Sequence, residues 1–369
     1  MKYRITGTVQ AITSERPGAQ EIQVRPETGE GLRQALNLTT LTGPAELGDT
    51  VLLNTTAVEM GLGTGGLDFV ISITPSRLPE TSPPGHILKL RYTPLQHPVL
   101  AAEAPESMYH ATLDRFQTLA ELPVVCIELH SQLAGVCTGV RWAAREHHHR
   151  HLPRVVYIMT DASALSLALS RLIPVLKQQG LLHATITAGN AFGGDYEAIN
   201  LYSALALAKE VVGADIVVVG QGPGNAGTET HLGFSGIDQG IAVNAAVSLG
   251  GVVILTPRIS FADSRRRHRG LSDHTYTILA SVVRAPLWLP IPRLPIEQLS
   301  QIYSLLESIN LGESIEPIVI DAEQSLEELE TIRPYALTMG RGIDEDRAFF
   351  LTASAAGILA VQLVEVRSA

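Results

Sequence analysis

Short segments in which apolar and polar residues alternate fill the first 75 positions. YRITGTVQAIT, QEIQVRP, DTVLLNTTAV and LDFVISI are separated by the turn-forming clusters ERPGAQ, PETGEG and GLGTGG. Alternation at period two between such separators predicts half-buried antiparallel strands, and this many in one stretch predict a small β-rich, barrel-like domain over residues 1–75. Residues 74–85, TPSRLPETSPPG, hold four prolines in twelve positions. They predict a linker, the start of a connecting segment over 76–122.

From residue 123 the pattern changes to continuous apolar runs rich in β-branched residues. These are VVCIEL, VVYIMT, HATITA, DIVVVG, GVVILT, PLWLPI and PIVIDA, and segments of helical character lie between them. Strands with no polar alternation are buried on both faces, so residues 123–369 are predicted to form an α/β domain: a mainly parallel sheet with helices on both sides. Leu165, Leu169, Leu172, Ile173 and Leu176 recur at helical spacing after Asp161, predicting a helix that Gly180 ends. Residues 195–213 repeat the design, with Asp195 read as the cap and Gly213 as the stop.

Composition narrows the classes. With 27 basic and 37 acidic residues the formal charge is −10, 45% of residues are hydrophobic and 17% are charged. A chain this apolar is not disordered. Its overall field repels polyanions, which disfavours nucleic acid and an anionic membrane surface as general partners. Cys126 and Cys137 stand alone in apolar surroundings and form no C-x-x-C pair, so buried thiols and a reducing compartment are expected. The first ten residues alternate like a strand and lack the apolar core of a signal peptide. The apolar stretch at 353–364 is too short to span a bilayer, and the expected location is the cytoplasm.

Ligands in an open parallel sheet bind at the carboxyl ends of the strands, so the segments following strands carry the functional expectation. They read Glu128-Leu-His130-Ser131, Thr160-Asp161-Ala-Ser163, residues 187–195 ending in Gly193-Gly194-Asp195, residues 220–231 and residues 258–263. Taken singly, each is open to the plainer reading of helix capping. Together they point to one site.

The segment after DIVVVG contains Gly222, Gly224 and Gly227 in G-x-G-x-x-G spacing. It runs on through THLGFSG before a helix can start near Ile237, and the next strand ends in Thr256 and Arg258 where a dinucleotide fold needs an acid. The spacing of a nucleoside-triphosphate loop is present from 222 to 228, but its lysine is missing. What remains is a loop of free amides, with the hydroxyls of Thr228 and Thr230, ahead of a helix N-terminus. That suits a phosphate or carboxylate. The alternative is a packing loop whose glycines permit close approach.

Residues 265–269, RRRHR, put four arginines and a histidine together in an acidic chain. Arg265 and Arg267 are read as anion ligands, since guanidinium forks match phosphate or carboxylate. The plainer alternative is a solvated charged face. Asp161, Asp195, His268 and His274 are the candidate acid and base groups. Two histidines six apart match no standard metal spacing, and neither metal nor cofactor is assigned. His147, His148, His149 and His151 resemble a metal cluster. They close a helix and precede a strand, which places them on the edge away from the ligand crevice, where cations suit a helix C-terminus.

Several blocks resemble a known family: GHILKLRYTPLQ, MTDASALSLALSRL, TITAGNAFGGDYEAIN, GPGNAGTETHLGFSG and PRISFADSRRRHRGLSDHT. They are similar to a bacterial family catalogued as domain of unknown function 3866. The resemblance spans nearly the whole chain and implies a shared architecture; it assigns no activity. Three readings stay open: an enzyme acting on a small phosphorylated or carboxylated metabolite, a non-catalytic ligand-binding or regulatory module with the same pocket, and an assembly protein whose basic cluster meets a partner. Self-association into a homo-oligomer is left open as well.

Overall fold

A computed structural model describes residues 3–62, 65–78, 84–309 and 315–368. The middle of the proline-rich stretch, 79–83, and part of GLGTGG, 63–64, lie outside the described residues. The chain divides into two compact units, 1–99 and 100–369.

The first unit is a closed barrel of β1 (Arg4–Arg16), β2 (Ala19–Pro26), β3 (Arg33–Asn37), β4 (Thr50–Asn54) and β5 (Asp68–Thr74), in the order β1-β2-β3-β5-β4. The long β1 closes it by pairing antiparallel with both β2 and β4. Val9, Ile22, Val24, Val51, Leu53 and Ile73 point inward and form its core, as period-two alternation requires. Short helices α1 (Thr39–Thr42) and α2 (Thr56–Glu59) connect strands, and β6 (Ile87–Lys89) pairs with β7 (His97–Val99) beyond the barrel.

The second unit is an eight-stranded, all-parallel sheet. Its strands are β8 (Pro123–Ile127), β9 (Val155–Thr160), β10 (Ala184–Thr187), β11 (Tyr196–Glu197), β12 (Ile216–Gln221), β13 (Val252–Thr256), β16 (Leu287–Pro292) and β17 (Ile315–Ile320), in the order β11-β10-β9-β12-β8-β13-β16-β17. Seven of them are the seven apolar runs. The two-residue β11 has no apolar run to announce it. The antiparallel pair β14 (Ile259–Ser260) and β15 (Gly270–Leu271) stands outside the sheet.

The central strands are buried on both faces, which is why they are continuously apolar, while the edge strand β17 leaves Glu316, Pro317 and Val319 exposed. In β8, Val125 and Ile127 enter the core shared with α4 (Gln132–Glu146), α5 (Leu172–Gln178), α10 (Leu326–Glu330) and α11 (Arg347–Ser368). Val124 and Cys126 enter the core on the other side, with α6 (Leu201–Glu210), α7 (Asp238–Ser248) and α9 (Ile296–Glu307). The short α3 (His110–Asp114) and α8 (Asp273–Thr277) are the remaining α-helices among the described residues. Helices α4 and α11 pack almost backbone to backbone: a Cβ on Gly357 would stand 2.1 Å from the Val136 carbonyl oxygen, and one on Gly139 2.3 Å from that of Ser354.

Three expectations change. The apolar stretch at 353–364 belongs to a longer helix; over Arg347–Val366 it is long and apolar enough to cross a bilayer by length and composition, but 72% of that window is buried. It serves as a core helix against α4. The helix expected from Asp161 is a 3-10 turn at Leu167–Leu169 followed by α5, because Ser166 bridges to Phe192 and Ser170 Oγ accepts the Ile173 N–H at 3.2 Å. In the next helix Asn200 is the cap in place of Asp195, forming a capping box with Ser203 at the start of α6.

Candidate functional site

The strand order reverses around β8. The chain lays β9, β10 and β11 to one side, returns to insert β12 beside β8, and then places β13, β16 and β17 on the other side. The carboxyl end of β8 therefore lies between the glycine-rich segment that follows β12 and the arginine-rich segment that follows β13. Such a reversal opens a crevice, and with one strand between them the two flanking ends are about 10 Å apart.

Glu128, the first residue beyond β8, joins these segments. Its side chain is wholly buried. Oε1 accepts hydrogen bonds from His274 Nδ1 at 2.7 Å, Asn225 Nδ2 at 3.3 Å and Arg258 Nη1 at 3.5 Å. Gly236 makes room for it, since a Cβ there would stand 2.7 Å from Glu128 Cγ. Burial by itself would raise the Glu128 carboxyl, but the His274 hydrogen bond and the Arg258 charge outweigh it and hold the group below its usual range.

A second buried carboxylate continues the arrangement. Asp263 Oδ2 meets Arg258 Nη2 at 3.2 Å and Arg265 Nη2 at 2.8 Å, while Oδ1 accepts the Arg265 Nε–H at 3.0 Å. Burial again acts to raise this carboxyl, and the Arg265 and Arg258 guanidiniums hold it far below the ordinary carboxylate range. Arg341 lies 3.6 Å from Asp263 and 2.9 Å from Asp346. Asp346, Arg341, Asp263, Arg258 and Glu128 thus form a line of alternating charge, and His274 bonds the Glu128 end of it. Each buried charge has a partner of opposite sign, as a low-dielectric interior demands.

His268 and His274 meet here, their ring centroids 4.6 Å apart edge to face. Their states differ. His268 Nε2 accepts from Arg267 Nε at 3.2 Å, so its Nδ1 donates to Ser272 Oγ at 2.7 Å. Burial, with the Arg258 charge adding to it, pushes this ring down to about 3, and it is neutral with both nitrogens engaged. His274 donates from Nδ1 to Glu128 and stacks on Phe234 at 3.9 Å. Its Nε2 has no hydrogen-bond partner among the described residues, and 15% of the side chain is exposed. The carboxylate fixes the orientation of this ring through Nδ1 and leaves Nε2 as the nitrogen not engaged by the described residues.

The arginine-rich loop is clipped at its base, where Ile259 pairs with Leu271 and Ser260 with Gly270. Arg265 is bound in bidentate fashion to Asp263. Arg267 reaches Glu229 in the glycine-rich segment at 2.5 Å, so the two expected segments touch through this pair. Glu229 is 77% exposed. Arg266 and Arg269 are exposed and have no ion-pair partner among the described residues.

The glycine-rich loop is less open than expected. The amides of Ala226, Thr228, Phe234 and Ser235 are bonded within the loop, and the Thr228 and Thr230 hydroxyls meet each other at 2.9 Å. Gly222 packs on Ala164 and Met159, and Gly224, at φ +95°, packs on Ser163 Oγ. A Cβ on Gly227 would reach only Phe234, at 3.8 Å. Gly222 and Gly224 therefore bring this loop against the one that follows β9.

Asp161 lies at the carboxyl end of β9, where Oδ2 accepts the Asn190 N–H at 2.8 Å. Asp195 lies elsewhere. The chain doubles back after β10 to add β11 in parallel, with Tyr196 beside Ile186, which returns Asp195 to the second residue of β10. There it accepts from Thr185 N and Oγ1 at 2.8 and 2.9 Å and pairs with Lys177 at 2.5 Å. His147 and His149 both bond Glu365 on α11, at 2.8 and 2.7 Å, on the segment leading into the amino end of β9.

Nothing in the local sequence singles out Glu128, Asn225 or Arg258 for a role, although the segments holding them stand out as strand-end loops. Residues 34–357 match the model of a family described as protein of unknown function (DUF3866). The chain belongs to that family. The match begins inside β3 and takes in every site residue named above. No curated protein matches the chain. Among the described residues, no group of three or more His, Cys, Asp or Glu side chains is placed to hold a metal ion.

Proposed function

We propose that this protein is an enzyme that binds a small phosphorylated or carboxylated metabolite at the carboxyl ends of its parallel sheet, with His274 as general base. The Glu128–His274 contact at 2.7 Å carries the reading: the buried carboxylate selects the tautomer and stabilises the imidazolium that proton uptake would create. Arg267 is the group offered to the ligand's anion. Its partner Glu229 is a surface carboxylate, and exposed pairs of this kind contribute only about 0–1 kcal/mol, so an incoming anion can displace it. Arg265, bound to buried Asp263, holds the site together. Two free, buried cysteines support placing this chemistry in a reducing compartment.

The test is a thermal-shift screen of phosphomonoesters and carboxylates, with inorganic phosphate as reference, followed by turnover assays on the compounds that bind. Binding that weakens in Arg267→Ala, and turnover that falls about 100-fold or more in His274→Gln, support the proposal. Turnover that survives His274→Gln overturns the general base. Binding unchanged in Arg267→Ala removes that arginine from the ligand.

A further inference from the structure

A cleft of about 430 Å³ opens beside the site, lined by Leu129, Leu169, Leu172, Leu337 and Met339, with Arg171 and Asn225 among its polar residues. Two residues that play no part in the proposal above, His130 and Ser170, also line it. Their hydrogen bonds determine where the protons are. Tyr157 OH lies 3.1 Å from the Gly220 carbonyl oxygen and 2.9 Å from that of Gln221, and its single proton must go to one of these acceptors. Toward His130 Nδ1, 3.1 Å away, the phenol oxygen can then only accept, so Nδ1 carries the ring proton. Nε2 is left with the lone pair, and Ser170 Oγ donates to it at 2.7 Å.

We infer that Ser170 is a nucleophile activated by His130, and that the cleft takes an ester whose acyl chain is apolar. Serine, imidazole base and a third group orienting the base are the parts that covalent acyl transfer needs. Burial pushes His130 down to about 4, which keeps the ring neutral and able to accept a proton at neutral pH. Oγ attacks the ester carbonyl carbon while its proton moves to His130 Nε2. The carbon–oxygen bond to the alcohol then breaks, and His130 returns the proton to the departing alkoxide. Water repeats the sequence on the acyl-serine, releasing the acid and restoring Ser170. The Ile173 N–H donates to Oγ at 3.2 Å and holds the nucleophile in place, while the negative charge of the tetrahedral intermediate develops on the ester's carbonyl oxygen. Tyr157 positions the base and carries no charge to stabilise the imidazolium, so slow turnover with a persistent acyl-serine is expected.

The experiment uses a long-chain alkyl fluorophosphonate on the full protein. Its phosphorus forms a bond to Ser170 Oγ with loss of fluoride, and peptide mass spectrometry locates the adduct. The expected result is an adduct on Ser170 in the folded protein and none after heat unfolding. The rate should fall about 100-fold in His130→Gln and also fall in Tyr157→Phe, which removes the acceptor that holds the tautomer. In the unmutated protein, labelling should rise with pH through about 4 and then level off. No adduct on Ser170, or labelling that climbs only in alkaline solution, overturns the inference, and neither depends on whether a variant folds. His274→Gln should label normally, so this test fails or succeeds separately from the proposed general base.

Discussion

Glu128 Oε1 and His274 Nδ1 lie 2.7 Å apart although 146 residues separate them in the chain. Strand β8 delivers the first and helix α8, in the connection beyond β13, the second, so neighbouring parallel strands turn a remote pair into a carboxylate–imidazole contact. The same oxygen meets Arg258, whose other arm reaches Asp263, and both carboxylates are fully enclosed.

Removing one member of that chain should be costly. Asp263→Asn leaves Arg258 and Arg265 facing a neutral amide in a buried setting, and a loss of about 3–5 kcal/mol is expected in urea denaturation. A change under about 1 kcal/mol would show that the charges are better solvated than their burial indicates.

The two depressed histidines set an acid limit. His268 is pushed down to about 3 and His130 to about 4, both below the roughly 6.5 of an unfolded chain. The unfolded state therefore binds more protons in that interval. The stabilisation is complete above about pH 6.5 and is lost as pH falls toward the folded values, by at most about 1.4 kcal/mol per pH unit for each ring. Denaturation curves from about pH 7 to about pH 5 should show this slope, and His268→Gln should reduce it.

The pair of Arg267 and Glu229 should behave in the opposite way to the buried chain. Glu229→Ala is expected to shift stability by less than about 1 kcal/mol while strengthening phosphate-ester binding, because it frees Arg267 from its competitor. Weaker binding in isothermal titration would assign Glu229 itself to the ligand.

Helices α4 and α11 admit no added carbon where they cross. Gly357→Ala places a methyl group against the Val136 carbonyl, and a loss of about 1–3 kcal/mol is expected from overpacking. An unchanged melting temperature would mean that the helices separate without cost.

Asp195→Asn tests the placement of that residue. It should weaken the bonds to Lys177 and Thr185, with a loss of about 1–2 kcal/mol, and leave ligand affinity unchanged. A large loss of affinity at unaltered stability would return Asp195 to the site.

Much of the architecture is written locally. Period-two alternation marks the barrel strands, seven continuous apolar runs are seven strands of the sheet, and α7 begins within a residue of Ile237, because burial on one face or two constrains each segment wherever it lies in the fold. The strand-end loops are legible for the same reason: a parallel sheet delivers all of them to one edge. Which loop residues meet was decided elsewhere. Glu128 became the hub because β8 is enclosed by β12 and β13, and strand order is set by the packing of crossovers among distant segments. Asp195 moved back along β10 because a two-residue strand, too short to leave a pattern, reversed its loop. Local chemistry set the period and burial of each element, while the neighbours of each carboxylate were chosen only when the sheet closed around them.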